Sequence, residues 1–289
     1  LQSAIKKKWF ERKLVARMKT DRITLLALAA PVAIVFVAFF IVPLGKLFVM
    51  SGAGPLGWGA YAVALTEPRY WRSLASTVLL AGSVTAVTLV ISGIAGVFLA
   101  RTSFIGHSVL TSMLTLPLAF PGVVIGFMII MLGGRQGLVP ALSDALLGER
   151  WVFAYSIVGL FVGYVYFSIP RTILTVMAAA EKLDPRLEEA ARSLGASSWR
   201  VVADVIVPAL RPALVAAGAI CFATAMGAFG TAFTLATKIN VLPMVIYSEF
   251  TMQANIAMAA VLSFVLGFIT WAALAVARSI TGASVAAAA

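Results

Sequence analysis

Residues 188–208 read Glu-Glu-Ala-Ala-Arg-Ser-Leu-Gly-Ala-Ser-Ser-Trp-Arg-Val-Val-Ala-Asp-Val-Ile-Val-Pro. Just upstream, Asp184-Pro185 is a helix start. An aspartate side chain caps the free amides of a first turn, and proline suits the first helical position. Leu187, Ala190, Ala191 and Leu194 then recur at i, i+3, i+4 and i+7, the spacing of one helical face. Glu188 and Arg192 lie four apart on another face, within reach of each other. Gly195 is expected to end this helix in the left-handed conformation. Ser197 or Ser198 would cap a second short helix, with Trp199, Val202 and Ile206 along one side and Pro208 as its stop. The segment 181–211 thus reads as two short helices at about a right angle, joined at Gly195. Two helices this short are barely stable alone and need a body behind them or a partner in front.

What flanks the loop is membrane. The chain is 62% hydrophobic and 11% charged, with a mean hydropathy of +1.03. Soluble domains run at roughly 45–50% apolar and 25% charged. The fold class is an all-α integral membrane protein. Apolar runs long enough to cross a bilayer fall at about 24–49, 74–100, 108–132, 151–180, 212–236 and 254–277, which makes six transmembrane helices. An even number puts both termini on one side. Lys6, Lys7, Lys8, Arg12, Lys13, Arg17, Lys19 and Arg22 precede the first run, and Arg101, Arg278 and the five basic residues of 181–211 share its side. The other side holds Lys46, Arg69, Arg72, Arg135, Arg150 and Lys238. This bias predicts cytoplasmic termini and a cytoplasmic 181–211 loop. It also accounts for the net charge of +11 as an orientation signal and a contact with anionic lipid, not as a nucleic-acid surface. The expected organisation is a basic tail over 1–23, a membrane domain over 24–280, and an alanine-rich tail over 281–289 that is set aside as appended sequence. The first apolar run is too long for a cleavable leader.

Several spans are interrupted. Pro117 and Pro121 fall in the third, Pro170 in the fourth, and Gly218, Gly227 and Gly230 in the fifth. Freed carbonyls and close helix approach suit a moving bundle or a wet path, and equally suit plain packing. Arg171 is the one charge well inside a span, and an intramembrane charge is a functional candidate unless it pairs with freed carbonyls or reaches the interface. No acid lies mid-span. Residues 58–73, with Tyr61, Leu65, Tyr70 and Trp71, read as an interfacial helix on the outer side, and 133–150 as a second outer segment. Cys221 reads as a small buried hydrophobe, and His107 as a solvated loop residue. With one cysteine and one histidine, no metal site is expected.

The loop also resembles a known motif. Permease subunits of ABC importers carry Glu-Ala-Ala, three residues, Gly, nine residues, Ile, any residue, Leu, Pro. Here Glu189-Ala190-Ala191, Gly195, Val205 and Val207-Pro208 keep every spacing, with valine in place of Ile and Leu. Ile169-Pro170-Arg171-Thr172 and Gly227-Ala228-Phe229-Gly230 are similar to segments of the polyamine, ferric-ion, sulfate and molybdate branch. Residues 31–51 and 61–80 look like that family's first span and the approach to its second.

The resemblance implies half of a type I importer pore, completed by a second permease subunit, often a paralogue. Two ATPase subunits would bind below and a periplasmic solute-binding protein above. It also implies that Glu188, Glu189, Ala190, Ala191, Arg192, Leu194, Gly195, Trp199 and Pro208 form the ATPase-coupling element. Pro170, Arg171, Gly227, Phe229, Gly230 and Thr231 would lie on the translocation pathway. The chain lacks a Gly-x-x-x-x-Gly-Lys-Ser/Thr loop. No cofactor is therefore expected in it, and ATP and Mg belong to the partner ATPase. The resemblance places the protein in a bacterial cytoplasmic membrane. The first substrate expectation is a polyamine or related organic cation, with an opine, a phosphonate, ferric ion or an oxyanion as alternatives. A secondary transporter and a scaffold that recruits a soluble partner are the competing classes. The first of these needs membrane carboxylates or histidines for coupling.

Overall fold

The computed structural model describes residues 24, 26–235 and 240–281. The basic tail 1–23, Lys238 and the tail from 282 lie outside the described residues. The described residues are helical, without strands. We label the helices α1 (Leu26–Ser51), α2 (Ala60–Thr66), α3 (Pro68–Arg101), α4 (His107–Thr115), α5 (Gly122–Gly133), α6 (Leu138–Leu147), α7 (Ile157–Glu181), α8 (Pro185–Ser193), α9 (Ser198–Met226), α10 (Phe229–Leu235), α11 (Leu242–Thr251) and α12 (Ile256–Thr281). Six segments are long and apolar enough to cross a membrane: α1, α3, Gly122–Leu147, α7, α9 and Ile256–Ile280.

Four of these match the expected spans closely. The third and fifth do not. The expected 108–132 span is broken into α4, a 3-10 turn at Leu116–Ala119 and α5, because Pro117 and Pro121 each remove an amide and disfavour helix in the residue before them. The apolar crossing segment is Gly122–Leu147, itself bent between α5 and α6. The fifth span begins at Ser198, not near 212. Pro208 therefore does not stop a second short helix. A π-turn over Val202–Ile206 carries the helix into Val207–Met226, and a wider turn relieves the clash a proline makes with the preceding carbonyls. Residues 58–73 are not one interfacial helix either. Glu67 is extended ahead of Pro68 (ψ 122°), so Tyr70 opens α3 and is buried while Trp71 stays exposed.

The core forms where α3, α5, α7, α9 and α10 meet. Leu80, Ala81 and Val84 of α3 pack on Ile129, Leu160, Tyr164, Cys221, Ala225, Met226 and Leu235. Buried Cys221 is the small hydrophobe expected of it. A second cluster joins α2, α3, α11 and α12 through Ala64, Tyr70, Leu74, Leu242, Val261 and Leu262. Lipid tails are as apolar as these side chains, so close fit rather than the hydrophobic effect holds such helices together. Gly96 of α3 shows how close. A Cβ there would lie 2.9 Å from Val176 Cβ and 3.1 Å from the Ile173 carbonyl oxygen of α7. Gly96→Leu is therefore expected to lower the thermal unfolding midpoint, with a loss of about 1–3 kcal/mol. Gly93→Leu, one turn away with open space around its Cβ, should leave the midpoint near that of the parent.

By contrast, the apolar window of α1 is not buried within the chain. The helix touches the body near its end, where the Phe48 ring meets Phe264 edge-on at 5.6 Å.

Candidate coupling loop and membrane groove

The loop between α7 and α9 is built as its sequence dictates at both caps. The Asp184 side chain accepts from the Arg186 amide at 3.0 Å, and Ser197 accepts from the Arg200 amide at 3.5 Å. Gly195 has φ +86°, its amide donates to the Arg192 carbonyl, and the Ala196 amide donates to the Ala191 carbonyl. That pair of bonds around a left-handed glycine is a Schellman ending.

The loop is seated on its own bundle. Ala191 and Ala196 pack beside Val176, Ala180, Val201, Ile206 and Leu210. Glu188 does not pair with Arg192. It turns inward to Arg101 at the end of α3, Oε1 to Nη2 2.8 Å, with side chains 16% and 23% exposed. The approach lies off the hydrogen-bond axis, and Glu188 Oε1 has no aligned donor, so charge is what holds it. Arg101 also donates to the Leu183 carbonyl at 3.3 Å. His107 bonds the Leu99 carbonyl through Nε2 at 3.0 Å. It is the half-buried first residue of α4, bonded back to the end of α3, rather than a solvated loop residue.

The outer face of the loop is what remains. Glu189, Ala190 and Arg192 are exposed, and so are Leu187, Leu194 and Trp199, the last two 90% and 78%. Trp199 thus faces away from Val201 and Ile206, and the predicted Trp199–Val202–Ile206 face does not exist. The π-turn rotates the helix so that Val201, Ile206 and Leu210 face inward instead. Pro208, on α9, is exposed on the body, beyond the loop. Three large apolar side chains presented around a charged helix form a surface of the kind that meets another protein.

A groove of adjoining recesses runs from the middle of α7 toward the opposite end. α3 and α7 are parallel, since Arg101 and Glu181 both end at the loop, and their first residues mark the far end. Arg171 stands ten residues before the end of α7, about 15 Å from it at 1.5 Å per residue. It is exposed, with its guanidinium carbon 5.9 Å from the Phe167 ring centroid. Among the described residues it has no carboxylate partner and donates to no carbonyl. Phe167, Ser168, Thr172, Thr175 and Thr224 line the recess beside it. Phe167, Ser168 and Thr224 are shared with a second recess of about 230 Å³ that reaches Gly227 and Gly230. Gly227 in turn opens on a third, of about 360 Å³, lined by Phe229, Pro243 and Tyr247.

The break between α9 and α10 at Gly227-Ala228 is fixed by Tyr164, whose hydroxyl donates to the Ala228 carbonyl. Thr231 is buried and gives its hydroxyl to the Gly122 carbonyl at 2.9 Å. Pro170 is buried too. Of the residues nominated for the pathway, Arg171, Gly227 and Phe229 open on the groove, Gly230 and the buried Thr231 both line its second recess, and Pro170 is buried and lines none of the three.

One residue escaped the sequence. Glu249 of α11 lies outside the spans and is entirely buried. Its Oε1 is 3.1 Å from Arg69 Nη1 and accepts from the Tyr70 hydroxyl at 3.1 Å. Nothing in its local sequence sets it apart from an exposed acid between two spans. Only the meeting of α11 with the start of α3 buries it.

A multi-pass helical body with a seated surface loop and a mostly apolar groove that carries one arginine, unpaired among the described residues, is the architecture of a membrane transport subunit. The chain matches, over residues 89–286, the family described as binding-protein-dependent transport system inner membrane component, and it belongs to that family. It is 33% identical to the molybdenum transport system permease protein ModB of Escherichia coli K12 over 185 residues, 61% of this chain and 75% of that one. It is 31% identical to the sulfate transport system permease protein CysT of the same organism over 191 residues, 64% of this chain and 65% of that one. Among solved structures, a chain of a bacterial alginate ABC transporter in complex with an alginate-bound periplasmic protein superposes with a TM-score of 0.79. That likeness covers 92% of this chain and 97% of that one at 16% identity, and it concerns the fold. The protein is a multi-pass permease subunit of the bacterial inner membrane.

Proposed function

We propose that this chain forms half of the pathway of an ABC importer for a small tetrahedral oxyanion of the sulfate or molybdate kind. The observation that carries the substrate class is Arg171, exposed near the middle of α7 beside the hydroxyls of Thr172, Thr175 and Thr224. A charge at that depth costs about 2.5–3.5 kcal/mol, which a dianion passing through the groove would offset. The named relatives transport molybdenum and sulfate. The expectation of a polyamine finds no support among them, and a guanidinium without an acid beside it repels an organic cation.

In this reading both termini and the α8 loop face the cytoplasm. Of two ATPase subunits, which hold the ATP and Mg, one docks on this chain's surface of Leu187, Glu189, Ala190, Arg192, Leu194 and Trp199, and the other on the second permease. A second permease subunit, a paralogue or a second copy, completes the groove, and a periplasmic binding protein delivers the oxyanion at the far end. Closure of the ATPase pair pushes on α8 and, through α9, on the groove. The test is uptake by proteoliposomes that hold the whole complex with its binding protein. Arg171→Gln is expected to cut sulfate or molybdate uptake at least tenfold and Arg171→Lys less, with oxyanion binding by the isolated binding protein unchanged. Oxyanion uptake by Arg171→Gln at the parent rate would remove this role for Arg171.

A further inference from the structure

We infer that α11 is a movable closure at the far end of the groove, held against α3 by a polar tether whose buried anchor is Glu249. The inference rests on the reading of the groove as the transport pathway. α11 runs beside the first turns of α3 and is fastened to it at both ends. At its start, the Leu242 amide donates to Thr77 Oγ1 at 2.8 Å, and the Asn240 carbonyl just before it accepts from Ser76 at 2.9 Å. At its end, Glu249 takes Arg69 and the Tyr70 hydroxyl, both at 3.1 Å. With its side-chain amide turned to suit, Gln253 adds a carbonyl 3.1 Å from both terminal nitrogens of Arg69.

The helix also reaches the groove. Tyr247, two residues before Glu249, sits with its ring centroid 5.3 Å from Phe229 and 5.5 Å from Phe233. Phe229, Pro243 and Tyr247 wall the recess that Gly227 shares with the Arg171 side. The tether and the aromatic closure are therefore on one ten-residue helix.

The bonding is of a kind that can be exchanged. Leu242 and Val245 also pack α11 into the second apolar cluster, and the polar bonds add to that fit at the helix's two ends. Here Arg69 is 48% exposed while Glu249 is fully buried, so one partner already stands at the water's edge. A buried carboxylate left without its cation costs several kcal/mol. The closed position is thus well defined, and release requires water or another cation to take the place of Arg69.

The experiment uses the assembled, reconstituted transporter. Ser76→Cys and Asn240→Cys are introduced together, and closure of the bond is followed by loss of free thiol. Uptake is measured oxidised and again after reduction. The expected result is uptake reduced at least tenfold in the oxidised form and restored by the reductant. Full uptake by the completely cross-linked protein would show that α11 travels with α3 and would overturn the inference. Where the parent and the reduced variant carry no oxyanion at all, the substrate reading fails instead, and the same comparison is made with the solute that the parent does carry. As a second measure, Glu249→Gln is expected to speed hydrogen exchange of the 242–251 amides at least tenfold without changing that of 80–96. Equal exchange in parent and variant would remove Glu249 as the anchor.

Discussion

Glu188→Arg is expected to lower ATP-driven uptake at least tenfold, and adding Arg101→Glu to recover most of the loss. Both side chains are mostly shielded, and they meet at 2.8 Å. Exposed pairs contribute about 0–1 kcal/mol and buried ones cost about 3–5 kcal/mol when broken, so this pair falls between. The reversal removes an attraction and installs a repulsion, which together exceed the roughly 1.4 kcal/mol of a tenfold change. What is lost is the position of α8 relative to α3. Glu188 is the only contact of the loop helix with α3 that relies on charge among the described residues. The comparison needs uptake and ATPase co-purification for the parent, both single variants and the exchanged pair. An exchanged pair no better than the worse single variant would count against a positioning role and point to direct contact of Glu188 with the ATPase.

The largest expected loss of stability belongs to Glu249→Ala, about 3–5 kcal/mol. The change strips Arg69 and the Tyr70 hydroxyl of the acceptor they share and leaves a void beneath α11. It should appear as a large drop in the unfolding midpoint in detergent, with Glu249→Gln intermediate because its amide oxygen still accepts from Tyr70. A midpoint within a degree or two of the parent for Glu249→Ala would mean that the cluster contributes little.

Much of the loop was legible because its instructions are local. Asp184, Pro185 and Gly195 act on backbone groups within a few residues, so capping rules place α8 nearly to the residue. Four of the six span positions were legible for the same reason, since apolar length is a property of one segment; the third and fifth were shifted by prolines and a π-turn. Pro208 was misread because its effect depends on whether the turn before it can widen, which single-residue rules do not decide. Glu188 and Arg192 have the spacing of a pair, yet Arg101, far off in sequence, offers the more shielded partner. Glu249 and Tyr70 lie 179 residues apart, and no periodicity within either segment announces such a meeting. In the groove, Arg171 could be nominated from sequence as a lone charge. That Pro170 stands behind the wall instead of on it depends on helix rotation.

The continuity of α9 bears on how such a chain tolerates change in length. Trp199 on the loop surface and Gly227 at the groove are joined by one helix of 29 residues, about 43 Å long at 1.5 Å per residue. Removing a single residue between them turns one end against the other by about 100° and shortens the helix by about 1.5 Å. Trp199 and the groove face could not then both keep their directions. Insertions and deletions in this protein should accumulate in its turns and spare the stretch from 199 to 226. The π-turn at Val202–Ile206 already closes its hydrogen bonds over one residue more than an α-helix would, and it is the place in that stretch where a change of length has a geometry ready to receive it.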